Sequence, residues 1–342
     1  MTAIQPTNKQ IAKLETRFLV ADISVALQCQ NEQRLAQLSA LWQQFFYVKD
    51  AALTEPSLTI SFDEKRTPAA EGEEIYRTET LYVAKTAQGF FLRCAEAWLE
   101  LTPAQSKGEG FLPESFWGLN PYDQREFFLL SLLMLLRPHG LYGLHANGLA
   151  TNEEGLLIVG PSGSGKTTLT LSLLEQGWQF VSDDAVLLKD TASSSEPLHA
   201  YAFRRGFSFT SQTETFFDTV QTEAMYSAQD KRVLDAEQLY PEQFTPSLIP
   251  RLIIFPEIGD QAESEFVSLS SGEALIALVQ QSAGSMIDRG AAAKQLELLK
   301  RLVQSSSCYR MRSGKDVIEQ GERISAKLKI LLGRADGDVA DG

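Results

Sequence analysis

The stretch GLLIVGPSGSGKTTLTLSLLEQGWQFVSDD, from Gly155 to Asp184, restricts the fold more than any other part of the chain. An apolar run leads into GPSGSGKT at Gly160–Thr167, an apolar segment with helical spacing follows, and a second apolar run closes on two aspartates. That order predicts strand, glycine loop, helix, strand, which is an α/β pattern. Every position of G-x-x-x-x-G-K-[ST] is filled, and in the context the motif requires. Glycines at Gly160, Gly163 and Gly165 let the backbone curl so that N–H groups aim inward at phosphate oxygens, and the following helix adds its positive end. Pro161, Ser162 and Ser164 complete the loop. Lys166 is expected to reach the β- and γ-phosphates, and the Thr167 hydroxyl to hold magnesium, with Thr168 beside it. The plain alternative is a glycine-rich turn that binds nothing; it accounts for the letters but not for their setting.

FVSDD ends the strand directly after the loop helix, so Asp183 and Asp184 are expected beside the γ-phosphate early in the chain. This suits a kinase presenting an acceptor hydroxyl: one carboxylate holds the metal and the other orients and finally deprotonates the incoming oxygen. Acidic residues at a strand end also cap turns or face water. Two of them at the carboxyl end of a strand, where α/β sheets bind ligands, favour the chemical role. The sequence leaves open which aspartate does which task. Lys231, in SAQDKRVLD, and Arg204 and Arg205, in FRRGFSF, are candidate cations for the phosphate chain, with solvated surface charge as the ordinary alternative. Trp178 and the phenylalanines between 203 and 217 are candidates to sandwich a base, or core.

Composition narrows the partners. A net charge of −13 gives no broad footprint for a polyanion, so neither nucleic acid nor an anionic membrane surface is expected as partner. The most apolar run, Phe127 to Leu136, is about half of the ~20 residues a bilayer helix needs. It predicts a buried helix. Cys29, Cys94 and Cys308 are far apart, and form no zinc spacing with His139, His145 and His199. Together with an N-terminus lacking an apolar signal core, this points to a reduced, cytoplasmic protein.

Strands are expected at 17–31, 57–63, 79–86 and 90–101, a helix at 34–46, and a Pro/Gly-rich linker at 102–121. Asp123 is the expected N-cap of the next helix. Further strands fall at 198–203, 251–255, 264–269 and 308–312, and helices at 272–281, 291–304 and 316–332. The domain reading is a β-rich N-terminal domain at 1–120, a P-loop catalytic domain at 121–333 and a disordered tail at 334–342. The N-terminal domain is expected to dock a substrate or partner.

The ordering H-A-x-G-x-A from His145, strand, GPSGSGKT, helix ending in Gly177, then FVSDD resembles the catalytic domain of HPr kinase/phosphorylase and its relatives, whose core also resembles phosphoenolpyruvate carboxykinase. The likeness covers His145 to Leu188, and weakly continues through Arg251 to Arg312. It implies an α/β fold of that P-loop kinase type, preceded by a smaller β-rich α+β domain. It also implies that His145 sits with the aspartates, that Lys166 and Thr167 bind ATP and magnesium, and that Asp183 and Asp184 provide metal contact and general base toward a serine hydroxyl. RRG at 204–206, with Arg205, stands in the family's Arg-Gly slot, but FSFTSQTETFF is not the glycine-rich continuation, a departure that leaves the phosphorylase reaction, and HPr as substrate, outside what the resemblance implies. Divergent relatives include lasso-peptide precursor kinases, similar in length and β-rich front half. The expected function is therefore an ATP- and magnesium-dependent kinase acting on a serine of a protein or peptide. The family's best-known members are hexamers, so a homo-oligomer is compatible with the resemblance. Two other readings stay open: a small-molecule hydroxyl kinase, and a nucleotide-sensing module without transfer.

Overall fold

Alternating apolar residues in the first hundred positions fold into a nine-stranded mixed sheet rather than a few long strands. The structure, a computed structural model, describes residues 13–51, 55–63, 72–152, 154–190, 196–221, 224–228, 231–282 and 289–335; every statement of number or absence below refers to these. The segment expected as one strand at 17–31 is two, Leu14–Val20 and Ile23–Cys29, joined by a hairpin with Ala21 at φ +54°. The segment at 90–101 likewise folds back between Phe90–Cys94 and Ala97–Thr102, with Ala95 at φ +52°. Both turns place alanine where glycine is the usual signal, so the sequence pattern ran through them. Glu73–Arg77 forms an edge strand that was not expected.

The passage expected as a linker holds a central strand. Lys107–Phe111 pairs with Leu58–Phe62 on one side and Ala97–Thr102 on the other. Its glycines allow close packing rather than freedom: a Cβ on Gly110 would lie 2.2 Å from the Trp98 carbonyl oxygen. The helix after it, Pro121–Leu136, is capped by Asn120, whose side chain accepts from Tyr122 N–H, and not by Asp123. Proline at the first helical position starts the helix earlier. Phe127, Phe128 and Leu132 of this helix are buried with Trp42, Phe45 and Phe46 and with the first sheet, in one cluster that also takes in Leu187 and Phe203. The core is therefore continuous across residue 120. No helix among the described residues is long and apolar enough to cross a membrane.

The second half builds another mixed sheet of nine strands, giving a mixed α/β fold with several sheets. Ser247–Ile258 runs parallel to Glu154–Val159 and to Ser307–Ser313. Gln179–Ser182 does not sit beside Glu154–Val159, as a simple strand–helix–strand unit would have it; Ala146–Thr151 lies between them, antiparallel to both. The segment at 316–332 is interrupted, with Asp316–Glu319 and Gly321–Ala335 as separate helices. A small three-stranded sheet, Gly206–Thr210, Lys231–Asp235 and Tyr226–Ala228, lies alongside. The terminal tail expected to be disordered lies outside the described residues apart from 334–335, which end the last helix.

Candidate active site

Two strands turn corners at the same level, and the corners meet. Leu141–Leu144 pairs with Val186–Lys189, whereas Ala146–Thr151 pairs with Gln179–Ser182, so His145 and the Asp183–Ala185 segment mark the bends. Asp184 has φ +64°, and Ala185 N–H donates to the Asp183 carbonyl at 2.7 Å, closing a tight turn around it. A non-glycine residue there costs free energy unless its surroundings hold it. They do: Asp184 N–H donates to Asn147 Oδ1 at 3.0 Å, Asn147 Nδ2 to Thr170 Oγ1 at 3.0 Å, and Thr170 Oγ1 to the Lys166 carbonyl at 2.9 Å. Asn147, fully buried, thus ties the aspartate turn to the helix Lys166–Leu174. Ser182 Oγ adds a second clamp, donating to the Ala185 carbonyl and accepting from Phe203 and Arg204 N–H.

Gly165 at φ +96° precedes that helix, and Gly163 at φ +82° shapes the loop before it. Lys166 folds inward, 7% exposed, and donates to the carbonyls of Gly160 at 2.7 Å and Pro161 at 3.1 Å. Its Nζ also lies 3.2 Å from His145 Nε2. On its other side, His145 Nδ1 lies 3.1 Å from Asp184 Oδ1. One tautomer satisfies both contacts: Nδ1–H donates to the carboxylate, and Nε2 accepts from the ammonium. Burial first, then the Lys166 and Arg204 charges, hold His145 below the ordinary imidazole value, outweighing Asp184.

The two aspartates differ sharply. Asp183 is buried and accepts Ser208 N–H at 2.9 Å; burial and the neighbouring Asp184 charge push its carboxyl up. Asp184 is 38% exposed at its side chain and makes an ion pair with Arg204, which is only 2% exposed. Burial would raise the Asp184 carboxyl too, but Arg204, His145 and Lys166 overcome it and hold it well below the usual range. The pair therefore titrates apart, as two coupled carboxylates do.

Two cavities open on this cluster. The first, about 410 Å³, is lined by Ser162, Gly163, Gly165, Lys166, Thr167, Thr168, Asp183 and Asp184, with Lys231 at its rim. Phe209, Phe216, Ile258 and Ile318 form its apolar end, and the last three are among the few large apolar residues left exposed. The second, about 540 Å³, lies past Asp184 and is lined by His145, Arg204, Arg125, Tyr76 and Tyr122, among others. Ser162, Asp184, Ser208 and Lys231 line both.

Other expected residues lie elsewhere. Arg205 pairs with Asp235 at 2.9 Å and Glu237 at 3.3 Å and lines neither cavity. The adjacent Arg204 takes the inward position, because backbone bonds from Tyr47 N–H to the Phe203 carbonyl and from Arg205 N–H to the Phe45 carbonyl fix which side chain of the pair turns in. Gly160, Pro161 and Ser164 shape the loop without lining a cavity. Trp178 is core, 1% exposed, with Nε1 donating to Ser325 Oγ; of the phenylalanines only Phe209 and Phe216 reach the first cavity. Asn147, Ser182 and Ser208 were not foreseen. Asn147 carries a faint signal, standing two residues after His145 in the H-A-x-G ordering.

Among the described residues no group of three His, Cys, Asp or Glu side chains could hold a metal by itself. Magnesium does not need one, since it keeps waters and takes one or two carboxylates plus phosphate oxygens. Thr167 and Asp183 line the same cavity and are oxygen donors of that kind, and a cation there would offset the cost of ionising buried Asp183.

No protein-family model matches the chain, and no curated protein matches it. Among solved structures, the chain is similar to that of the Hpr(Ser) kinase/phosphatase from Coxiella burnetii, at 18% identity, over 37% of this chain and 72% of that one, with a TM-score of 0.25. A likeness of that strength carries no weight for function, which rests on the side chains.

Proposed function

We propose that the protein is a phosphotransferase that moves the γ-phosphoryl group of ATP onto a serine hydroxyl of a protein or peptide. The observation that carries this is a single ionised carboxylate, Asp184, in the wall shared by a glycine-loop cavity and a second cavity. A nucleotide sensor needs only the first cavity. A transferase needs a donor on one side, an acceptor on the other, and a group between them that aligns the attacking oxygen.

In this reading the loop backbone and the helix end cradle the phosphates, Lys166 exchanges a carbonyl partner for a phosphate oxygen, and Lys231 offsets charge on the transferring group. Thr167 and Asp183 would hold magnesium, which supplies charge neutralisation across the phosphates. Asp184 accepts a hydrogen bond from the acceptor hydroxyl. The hydroxyl oxygen bonds to the γ-phosphorus, the bond from that phosphorus to the bridging oxygen breaks, and the electron pair leaves with ADP. The hydroxyl proton passes to Asp184. A weakly basic carboxylate suits a loose transition state, in which alignment matters more than early proton removal. Arg204 and His145 are positioning residues that keep Asp184 ionised and aimed.

The test is direct. Purified protein is titrated with magnesium ATP in a calorimeter and then assayed against serine peptides and small hydroxyl compounds. Nucleotide binding with phosphoserine formation is expected; absence of nucleotide binding would falsify the reading.

A further inference from the structure

Besides Asp184, His145, Arg204 and Lys231, the second cavity is walled by parts of the chain that the transfer chemistry does not use. Tyr76 comes from the strand Glu73–Arg77, the last strand of the first sheet. Tyr122, Arg125, Leu130 and Leu133 come from the helix Pro121–Leu136, and Val233 from the small sheet. An irregular register between Glu74 and Tyr76 interrupts the pairing of that edge strand with Leu81–Lys85, the kind of feature that re-aims a side chain next to a site. Arg125 is buried yet charged: it bonds Glu126 Oε1 at 2.9 Å and lies 4.7 Å over the Tyr122 ring. That pair is already neutralised, and the lining beyond it divides into a leucine, valine and tyrosine side and a polar side of Ser162, Ser208, Lys231 and Gln281 beside Asp184.

We infer that this cavity is the acceptor site, and that it takes an extended polypeptide segment whose serine is flanked by an apolar side chain. The inference rests on the phosphotransferase reading and deepens it. Ser162, Ser208 and Lys231 also line the first cavity and serve the phosphate side, whereas Leu129, Leu130, Leu133, Val233 and the two tyrosines line the second cavity alone and offer apolar surface to a side chain flanking the acceptor serine. The edge strand adds the second argument. Among the described residues Glu73–Arg77 ends the first sheet and brings Tyr76 to the cavity, so an extended segment added along this edge would lead to Asp184. Specificity for the acceptor is therefore built from Tyr76 of the first sheet together with the helix Pro121–Leu136 and Val233, and the phosphate chemistry from the glycine loop and the aspartate turn.

The experiment uses the full chain and short synthetic peptides carrying one serine flanked by leucine or by glutamate, with free serine and glycerol as small acceptors. Nucleotide affinity is measured first for wild type, Tyr76→Ala, Tyr76→Phe and Leu130→Glu. The expected result is unchanged nucleotide affinity in all four and preference for the leucine-flanked peptide. The peptide KM should be about ten-fold higher in Tyr76→Ala and Leu130→Glu and close to wild type in Tyr76→Phe. Phosphorylation of glycerol or free serine as fast as of peptides, or an unchanged peptide KM in both Tyr76→Ala and Leu130→Glu, overturns the acceptor assignment while leaving the phosphotransferase intact. Failure of wild type to bind nucleotide overturns both.

Discussion

His145 Nδ1 and Asp184 Oδ1 stand 3.1 Å apart across two strand corners that are far separated in the chain. Because the same imidazole accepts from Lys166, its neutral form is the one the fold holds. The pH dependence follows in sign. Burial first, then Lys166 and Arg204, keep the folded pKa below the ordinary 6.5, so the unfolded chain takes up the proton first on acidification. The contribution is complete above 6.5 and is lost as pH falls toward the depressed folded value. Urea midpoints of wild type and His145→Asn at about pH 7.5 and about pH 5.5 check it: acidification should cost wild type more than the variant. An equal cost in both would remove the tautomer assignment.

Asp184→Asn should leave ATP affinity within about two-fold and reduce transfer at least ~100-fold, since alignment and proton acceptance are lost together. Lys166→Ala should weaken binding and transfer alike. Single-turnover kinetics alongside calorimetry separates the two; normal transfer by the asparagine variant would move the role to Asp183.

Arg204→Met leaves the Asp184 carboxylate without its guanidinium. A fully buried broken pair costs about 3–5 kcal/mol, but Asp184 retains solvent, so about 1–3 kcal/mol is expected here. Denaturant unfolding measures it. A loss of kcat larger than that seen for Arg205→Met, which disturbs only the pairs with Asp235 and Glu237, would mark Arg204 as the positioning residue.

Gly165 holds φ +96° at the start of the loop helix, and a Cβ at that position would meet only the Ile258 side chain, at 3.6 Å. Gly165→Ala therefore meets backbone strain of about 1–3 kcal/mol rather than a clash. The loop should relax out of shape, with nucleotide affinity falling more than thermal stability. Calorimetry set beside a melting curve reads both.

Trp178→Ala should cost about 3–5 kcal/mol of stability, because the indole fills a core site and bonds Ser325. Nucleotide affinity of the folded fraction should not change. A selective loss of nucleotide binding would instead return Trp178 to the role of a base-stacking residue.

The glycine loop, its helix and the two aspartates at the next strand end were legible because each is a local signal: glycine spacing, an apolar helical stripe, two acids at a strand end. Hairpins at Ala21 and Ala95 were not, since alanine occupies the positive-φ position that glycine would have announced. The strand Lys107–Phe111 was hidden by glycines that read as a linker and in fact admit a neighbouring backbone. Arg204 and Arg205 look alike in sequence. The backbone bonds to Phe45 and Tyr47, with Ser182 Oγ accepting from Phe203 and Arg204 N–H, decide that the first turns to Asp184 and the second to Asp235.

By itself the sequence determined the glycine loop and the helix that follows it, because backbone freedom, side-chain chemistry and short-range spacing are properties of neighbouring positions. Tertiary structure alone decided that His145, Asn147, Asp184 and Arg204 meet, and that Tyr76 of the first sheet reaches the second cavity. Those outcomes depend on which strand pairs with which, and periodicity in a chain reports that a face is buried without naming the surface that buries it.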